Sequence, residues 1–390
     1  AGNRSPTVST ESDAHTPMLT HVDLARYRGF KTYKVRGLSR VNLFVGMNNS
    51  GKTALLEGIQ FLASGGDPAV LAQSAIRRGE VVVRRPDAAT LVEIAHFFYG
   101  HQIEPDSDFS ITGNNGYTPV TVKVISLEDR QPKGEEPPKV PRRVGQFAIK
   151  IDGGRKRTPE PRLYPITRDG VVQMEDPAPW RFEGYERLLI DRMSQFQGSP
   201  SYFIGTDQVD SVSLALMMDE VAMLGRDSML ADAMRLLDPK LESARMLSGA
   251  STLGFRGSKG GVIAKLQGVE RPVPLGSLGE GMRRMLTLAS ALSTTRGGYL
   301  FIDEVDTGLH YSVMNKMWEL IITTATAYDI QVFASTHSYD CIYGLAKLLR
   351  RQSDMKQFMS VQRVEAERQD SVAFDSEEIL AAMREDIEIR

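Results

Sequence analysis

The chain has 390 residues and a formal net charge of −2, so it is long enough for one large domain with insertions or for two domains, and its overall charge points to no particular partner. A single cysteine, Cys341, rules out an internal disulfide framework and fits a reducing compartment, so cytoplasm is the expected location. The six histidines, at 15, 21, 96, 101, 310 and 337, lack the spacing of a zinc or haem site. No run of about 18 apolar residues is present, so no helical membrane span and no membrane partner are expected.

In chain order, Ala1 to Pro17 is rich in Ser, Thr and Asp, lacks the apolar core of a secretion signal, and reads as a disordered tail. Leu19 to Val35 alternates around Gly29, which predicts a strand, a turn and a return strand; Arg28 in that turn either touches nucleotide or sits on a solvated edge. The apolar run from Val41 to Val45 then feeds Gly46-Met47-Asn48-Asn49-Ser50-Gly51-Lys52-Thr53, a glycine, four residues and Gly-Lys-Thr, followed by helical periodicity to Ala63. In this strand–loop–helix context Gly46 and Gly51 let backbone amides curl around phosphate oxygens, with Asn48, Asn49 and Ser50 completing the cradle and the helix dipole adding positive potential. Lys52 is placed to reach the β- and γ-phosphates of ATP, and the Thr53 hydroxyl to hold Mg²⁺. Gly65-Gly66-Asp67-Pro68 ends the helix.

Strand signals dominate from Leu91 to Asp152, predicting an antiparallel sheet, while the proline- and charge-rich 128–143 reads as a surface loop. Lys139, Arg142, Arg143, Lys150, Arg155, Lys156 and Arg157 make 139–157 basic, either a DNA contact or a solvated face, and Arg77, Arg78, Arg84 and Arg85 form a second such cluster. Tyr185 to Ala244, with Leu214, Met217, Met218, Val221 and Leu224 at helical spacing, reads as a helical insertion. Strand signals return at Thr252–Phe255 and Gly261–Leu266 around a hairpin-like break.

A second constellation follows. Leu275 to Arg284 places the small-residue loop Ser277-Leu278-Gly279-Glu280-Gly281 before a helix, a second anion site by its exposed amides. Tyr299 to Ile302 is an apolar strand ending in Asp303 and Glu304, the first suited to the Mg²⁺ shell and the second to deprotonating the attacking water. Ile330 to Thr336 is another strand, with His337 at its carboxyl end, where parallel sheets place ligand groups and where an imidazole reaches a γ-phosphate.

The order of phosphate loop, glycine-rich helix opener, Leu300-Phe301-Ile302-Asp303-Glu304, Val305 to His310 and Ser335-Thr336-His337 resembles ABC-type ATPase heads. The likeness is greatest to the branch holding the OLD, RecF and SMC-like proteins, over Leu19–Leu62 and Pro274–Leu349. The resemblance implies an α/β fold, with a mixed or parallel sheet carrying the phosphate loop, an antiparallel β-subdomain and a helical insertion. The expected division is 1–17 tail, 18–184 N-terminal lobe, 185–248 helical insertion and 249–390 C-terminal lobe.

It further implies a homodimer or higher assembly around ATP, with Ser277, Gly279, Gly281 and Asp306 acting on the nucleotide; Gln73 is the candidate for the family's Q-loop residue. One departure is Gly279, where the family's serine is expected, which points to slow hydrolysis. Lys52 and Gly279 are 227 positions apart, unlike transporter subunits, and nothing sustains the heptads of chromosome-organising heads. The 53 residues after His337 are too few for the Toprim nuclease domain of OLD nucleases, so the expectation is an OLD-like ATPase serving a separately encoded effector, such as a Toprim nuclease, in anti-phage defence. The competing reading is a RecF-like, ATP-gated DNA-binding protein of repair.

Overall fold

The computed structural model describes residues 18–83, 90–114, 116–126, 147–153, 162–166, 170–174, 200–206, 211–247, 261–385, 387 and 389. The tail 1–17, the loop 128–143, Arg84, Arg85, most of the basic stretch 139–157, residues 185–199 and the 252–255 strand with its break lie outside the described residues.

Strands β1 (His21–Tyr27) and β2 (Phe30–Arg36) form the expected hairpin, and β3 (Val41–Val45) leads through the phosphate loop into α1 (Lys52–Ala63). Gly65 and Gly66 turn the chain, but Asp67 and Pro68 then open a helix that sequence reading missed, α2 (Pro68–Arg78). Asp67 caps it by accepting from the Ala69 amide, and Pro68 occupies the first position, where no amide partner is needed. Seven short strands follow: β4 (Val81–Val83), β5 (Thr90–Glu93), β6 (Asp108–Gly113), β7 (Val120–Ser126), β8 (Phe147–Asp152), β9 (Arg162–Ile166) and β10 (Val171–Met174). The remainder comprises β11 (Ser201–Ile204), α3 (Ser211–Met223), α4 (Asp227–Leu237), β12 (Leu241–Leu247), β13 (Gly261–Leu266), β14 (Val273–Pro274) and α5 (Glu280–Thr294). After these come β15 (Tyr299–Ile302), α6 (Met314–Ala327), β16 (Gln331–Thr336), α7 (Tyr339–Arg351), β17 (Met359–Arg363), β18 (Val372–Phe374) and α8 (Ser376–Arg384).

Among the described residues these strands make a core sheet ordered β11-β15-β16-β3-β17-β18, parallel except for the last pair. An antiparallel sheet is ordered β2-β1-β6-β7-β8-β9-β10-β5-β4, and β12-β13-β14 form a small third sheet. The expected α/β class with an antiparallel β-subdomain is the architecture found. The expected helical insertion is corrected in two respects: Ser201–Ile204 is not helical but pairs in parallel with Tyr299–Ile302 as the edge of the core sheet, and Leu241–Leu247 is strand β12, paired antiparallel with β13. The short run Ser201-Tyr202-Phe203-Ile204 gave no periodicity by which to recognise it, because a strand of four residues is specified by its neighbour.

The core sheet separates two apolar layers by the alternation of its side chains. Val41, Leu43, Val45, Leu300, Ile302, Val332 and Ala334 pack with the helices that follow β11, including Leu286, Trp318, Ile321 and Leu345. Phe44, Phe301, Phe333 and Tyr299 face the opposite way, against Leu55 and Ile59 of α1 and the antiparallel sheet. Four rings on this side, Phe203, Phe301, Phe333 and Phe44, run across adjacent strands with centroids 6.2, 5.4 and 6.4 Å apart, and the Arg77 guanidinium lies 3.9 Å over the Phe203 ring.

The hairpin turn is tied to α1 by buried charge. Arg28, only 3 % exposed, donates to Glu80 (2.8 and 3.1 Å) and to Ser74 (3.1 Å). Its Nε lies 3.1 Å from Glu57, itself 1 % exposed, in charge contact but off-line for a hydrogen bond. Arg78 Nε closes on both Glu57 oxygens at 3.0 Å. Arg28 therefore belongs neither to a solvated edge nor to a nucleotide contact, and Arg77 and Arg78 are committed to Phe203 and Glu57 rather than to an outward basic patch. The sequence offered lone arginines, which are ordinarily exposed; only the fold supplies Glu57 and Glu80 to neutralise them inside.

Glu57→Gln keeps the shape and removes the charge, leaving Arg28 with Glu80 alone and Arg78 with no carboxylate among the described residues. A loss of about 3–5 kcal/mol is expected from urea unfolding midpoints, and an unchanged midpoint would show that the cluster is dispensable.

Candidate functional site

Parallel register brings the site together. Val45 is paired with Thr336 and Ile302 with Ala334, so the chain leaves β3, β15 and β16 at one edge of the sheet. There the phosphate loop, Asp303-Glu304 and His337 become neighbours.

The phosphate loop uses glycine where nothing larger fits. A Cβ on Gly46 would lie 2.5 Å from the Val364 carbonyl oxygen, and one on Gly51, at φ 97°, 2.4 Å from the Phe30 ring. Asn49 takes the left-handed conformation at φ 66°, Asn48 and Asn49 are exposed, and Ser50 is buried with an Oγ that has no partner among the described residues. Lys52, 5 % exposed, donates to the Gly46 and Met47 carbonyls at 2.8 Å each, which fixes the ammonium inside the curl of the loop. Burial lowers its pKa, opposed by the negative charges of Glu304 and Asp303. α1 begins on Gly51 and α5 on Gly279 with no side-chain cap, whereas Asp67, Ser338 and Asp375 cap α2, α7 and α8. The first amides of α1 thus remain available to an anion.

Thr53 Oγ1 donates to Asp303 Oδ2 at 2.8 Å, joining residues 250 positions apart. The donor set is hard oxygen, a hydroxyl and a carboxylate, which suits Mg²⁺. Asp303 Oδ1 accepts from Ser335 Oγ at 2.5 Å, and the same Ser335 oxygen accepts the Glu304 amide at 2.9 Å. Glu304 sits at φ 47°, an uncommon conformation for a non-glycine residue, clamped at its carbonyl by Arg284 Nη2 (3.1 Å). Its carboxylate meets His337 Nδ1 at 2.7 Å. Asp306 accepts from Thr336 Oγ1 at 2.5 Å.

Ser335, Thr336 and Arg284 received no role from the sequence. Their signal was polar side chains in a strand buried at every position, and a buried arginine on a helix. Burial lowers the Arg284 pKa against the raising pull of Asp306 and Asp303, and its Nε has no partner among the described residues. It lines a cleft with Thr206, Glu280, Arg283, Thr287, Thr307 and Gly308.

Ser277 and Gly279 are exposed and Gly281 is half-buried, at the start of α5. Gly279 lies at φ 89° and ψ 163°, a region open essentially to glycine alone. The glycine that stands in place of the expected serine is therefore what this backbone requires. Gln73 lies within α2, inside a helix rather than in a loop.

The family described as "AAA domain, putative AbiEii toxin, Type IV TA system" matches residues 41–340, which span the phosphate loop, Asp303-Glu304 and His337. The chain belongs to this family. It is an AAA-type ATPase domain with an α/β architecture. A Helicobacter pylori protein named ATP/GTP phosphatase is similar at 22 % identity over 350 residues, covering 85 % of this chain and 89 % of that protein. The DNA replication and repair protein RecF of Acinetobacter baumannii is 47 % identical over 47 residues, covering 12 % of this chain and 13 % of RecF. Among solved structures, the SMC head bound to the C-terminal winged-helix domain of ScpA aligns at 14 % identity and a TM-score of 0.47, over 93 % of this chain and 99 % of that one. No helix among the described residues is long and apolar enough to cross a membrane.

Gly51→Ala adds a methyl group against the Phe30 ring and strains a left-handed residue. A loss of at least about 2 kcal/mol in unfolding free energy is expected, with weakened binding of a fluorescent ATP analogue. Phe30→Leu in the same chain should restore part of the stability; no restoration would mean that the contact is not the cause.

Proposed function

We propose that the chain hydrolyses ATP at a site shared between two copies and uses that cycle to control a separately encoded effector. The observation that carries this reading is the pairing of Thr53 with Asp303 at 2.8 Å beside the Glu304–His337 pair at 2.7 Å, all against the phosphate loop. Thr53 and Asp303 would hold Mg²⁺, whose charge would offset that developing on the phosphate oxygens. Lys52 and the amides of Gly46 to Thr53 bind and orient the phosphates. The Glu304 carboxylate, positioned by Ser335 at its amide and Arg284 at its carbonyl, takes the proton of the attacking water. His337 holds that carboxylate in place and presents its ring towards the terminal phosphate.

Exposure of Ser277 and Gly279 in the single chain supports their acting on nucleotide held by a second copy, and Asp306, held by Thr336, would add a further contact. The name of the Helicobacter relative supports phosphate hydrolysis, and the family's description as a putative toxin of a type IV toxin–antitoxin system supports a bacterial defence setting. The effector we infer is a Toprim-type nuclease, as in OLD-like systems. A second reading, ATP-gated DNA binding in repair, is supported by the short RecF match and the basic residues of 139–157. In that case charge reversal of Arg155, Lys156 and Arg157 abolishes salt-dependent DNA binding, whereas unchanged binding excludes it.

Glu304→Gln should slow hydrolysis by about 10²–10⁴-fold and accumulate an ATP-bound dimer, read as an earlier elution volume with ATP than without. Unaltered turnover in that variant removes Glu304 from the mechanism. Lys52→Ala should instead weaken nucleotide binding itself, seen as loss of ATP-dependent dimerisation. Affinity purification from the native host should recover one consistent partner; repeated recovery of none counts against a dedicated effector.

A further inference from the structure

We propose that His96 and His101, with Glu93 behind the first of them, bind a borderline divalent transition-metal ion, Zn²⁺ being the best fitted. The two histidines are five positions apart, a spacing that announces no metal motif in the sequence. The chain brings them together through a single 3₁₀ turn, Ile94–Phe97, followed by a reversal in which Gly100 lies at φ 81° and His101 at φ 58°. A non-glycine residue in that conformation is strained. The reversal directs His101 onto His96: their Nδ1 atoms share a hydrogen bond at 3.3 Å, one ring nitrogen donating to the other, with ring planes at 62°.

That separation is the one a tetrahedral ion imposes on two imidazole ligands, since bonds of about 2.0–2.1 Å at the tetrahedral angle place the nitrogens about 3.3–3.4 Å apart. The other nitrogen of His96, Nε2, faces the Glu93 carboxylate at 3.5 Å. The carboxylate favours the ring proton on Nε2, as behind metal-bound histidines, so that His96 Nδ1 accepts the His101 Nδ1 proton, which an ion would displace. Both rings reach solvent, so an ion has access. Among the described residues no third histidine, cysteine or carboxylate converges there, and water would complete the coordination. Imidazole donors select Zn²⁺, Cu²⁺ and Ni²⁺ over Mg²⁺, which keeps this site distinct from the oxygen donors Thr53 and Asp303.

The bound ion would staple the segment that supports the β1–β2 turn. Phe97 accepts the Arg28 amide at 3.0 Å and places its ring 4.3 Å beneath the Arg28 guanidinium, and Phe98 pairs with Tyr27.

The test uses the untagged full chain, stripped with chelator and then saturated with Mg²⁺. Calorimetric titration with Zn²⁺ should show one ion per chain, lost in His96→Ala and in His101→Ala, weakened about tenfold in Glu93→Gln and retained in His337→Ala. Electron paramagnetic resonance of the Cu²⁺-loaded chain should show coupling to two nitrogens. Absence of Zn²⁺ binding by the parent chain, binding that survives both alanine substitutions, or a Cu²⁺ signal without nitrogen coupling overturns the assignment.

Discussion

The in-register parallel pairing of β3 with β16, and of β16 with β15, is the constraint on which the remaining site geometry depends. Each strand ends beside its neighbour, so residues drawn from positions 46–53, 303–306 and 335–337 meet without any loop spanning the distance. The strands are short and buried on both faces, and they read as continuous apolar runs because helices cover one side and the antiparallel sheet the other. The polar residues at the carboxyl end of β16, Ser335 and Thr336, are tolerated because each has a carboxylate to serve. Ser335 bridges Asp303 and the Glu304 amide, and Thr336 holds Asp306.

The same economy governs the interface between the phosphate-loop helix and the antiparallel sheet. Gly51 and Gly58 bring α1 against Phe30 and against Leu24 and Tyr27, so closely that an added Cβ would lie 2.4 and 2.8 Å from ring and methyl carbons. At the edge of this contact the charged cluster of Arg28, Glu57, Arg78 and Glu80 is enclosed. Such a cluster contributes little net stability against an apolar replacement, but it penalises any arrangement that separates its members, and so it specifies how the β1–β2 turn meets α1. The phosphate loop is thereby held between two rigid neighbours, the core sheet below and the hairpin beside it.

Glu304 is the residue at which fold and chemistry meet most closely. Its positive φ is held at both ends, by Ser335 Oγ at the amide and Arg284 at the carbonyl, and its carboxylate is aligned by His337. Arg284 belongs to α5, the helix that starts at the exposed Gly279, so the same helix presents the small-residue loop outward and fixes the glutamate inward. One rigid element therefore couples the position of that loop to the position of Glu304.

The sequence by itself determined those features whose physical cause is local. A glycine loop between strand and helix can be read as a phosphate cradle because each residue acts on its immediate neighbours, and an apolar strand ending in two acids carries its meaning in six consecutive residues. The start of α8 has an equally local cause, since Asp375 and Glu378 form a reciprocal cap within four positions. Tertiary structure alone decided matters in which the partner is remote. It buried Arg28 against Glu57 and Glu80, laid Arg77 on Phe203, made Ser201–Ile204 a strand by lending it Tyr299–Ile302, and gave Ser335 two partners 31 and 32 positions away. A charge or a four-residue run has no fixed meaning until the fold supplies the group that neutralises or pairs with it, and that choice is made by packing rather than by sequence neighbours.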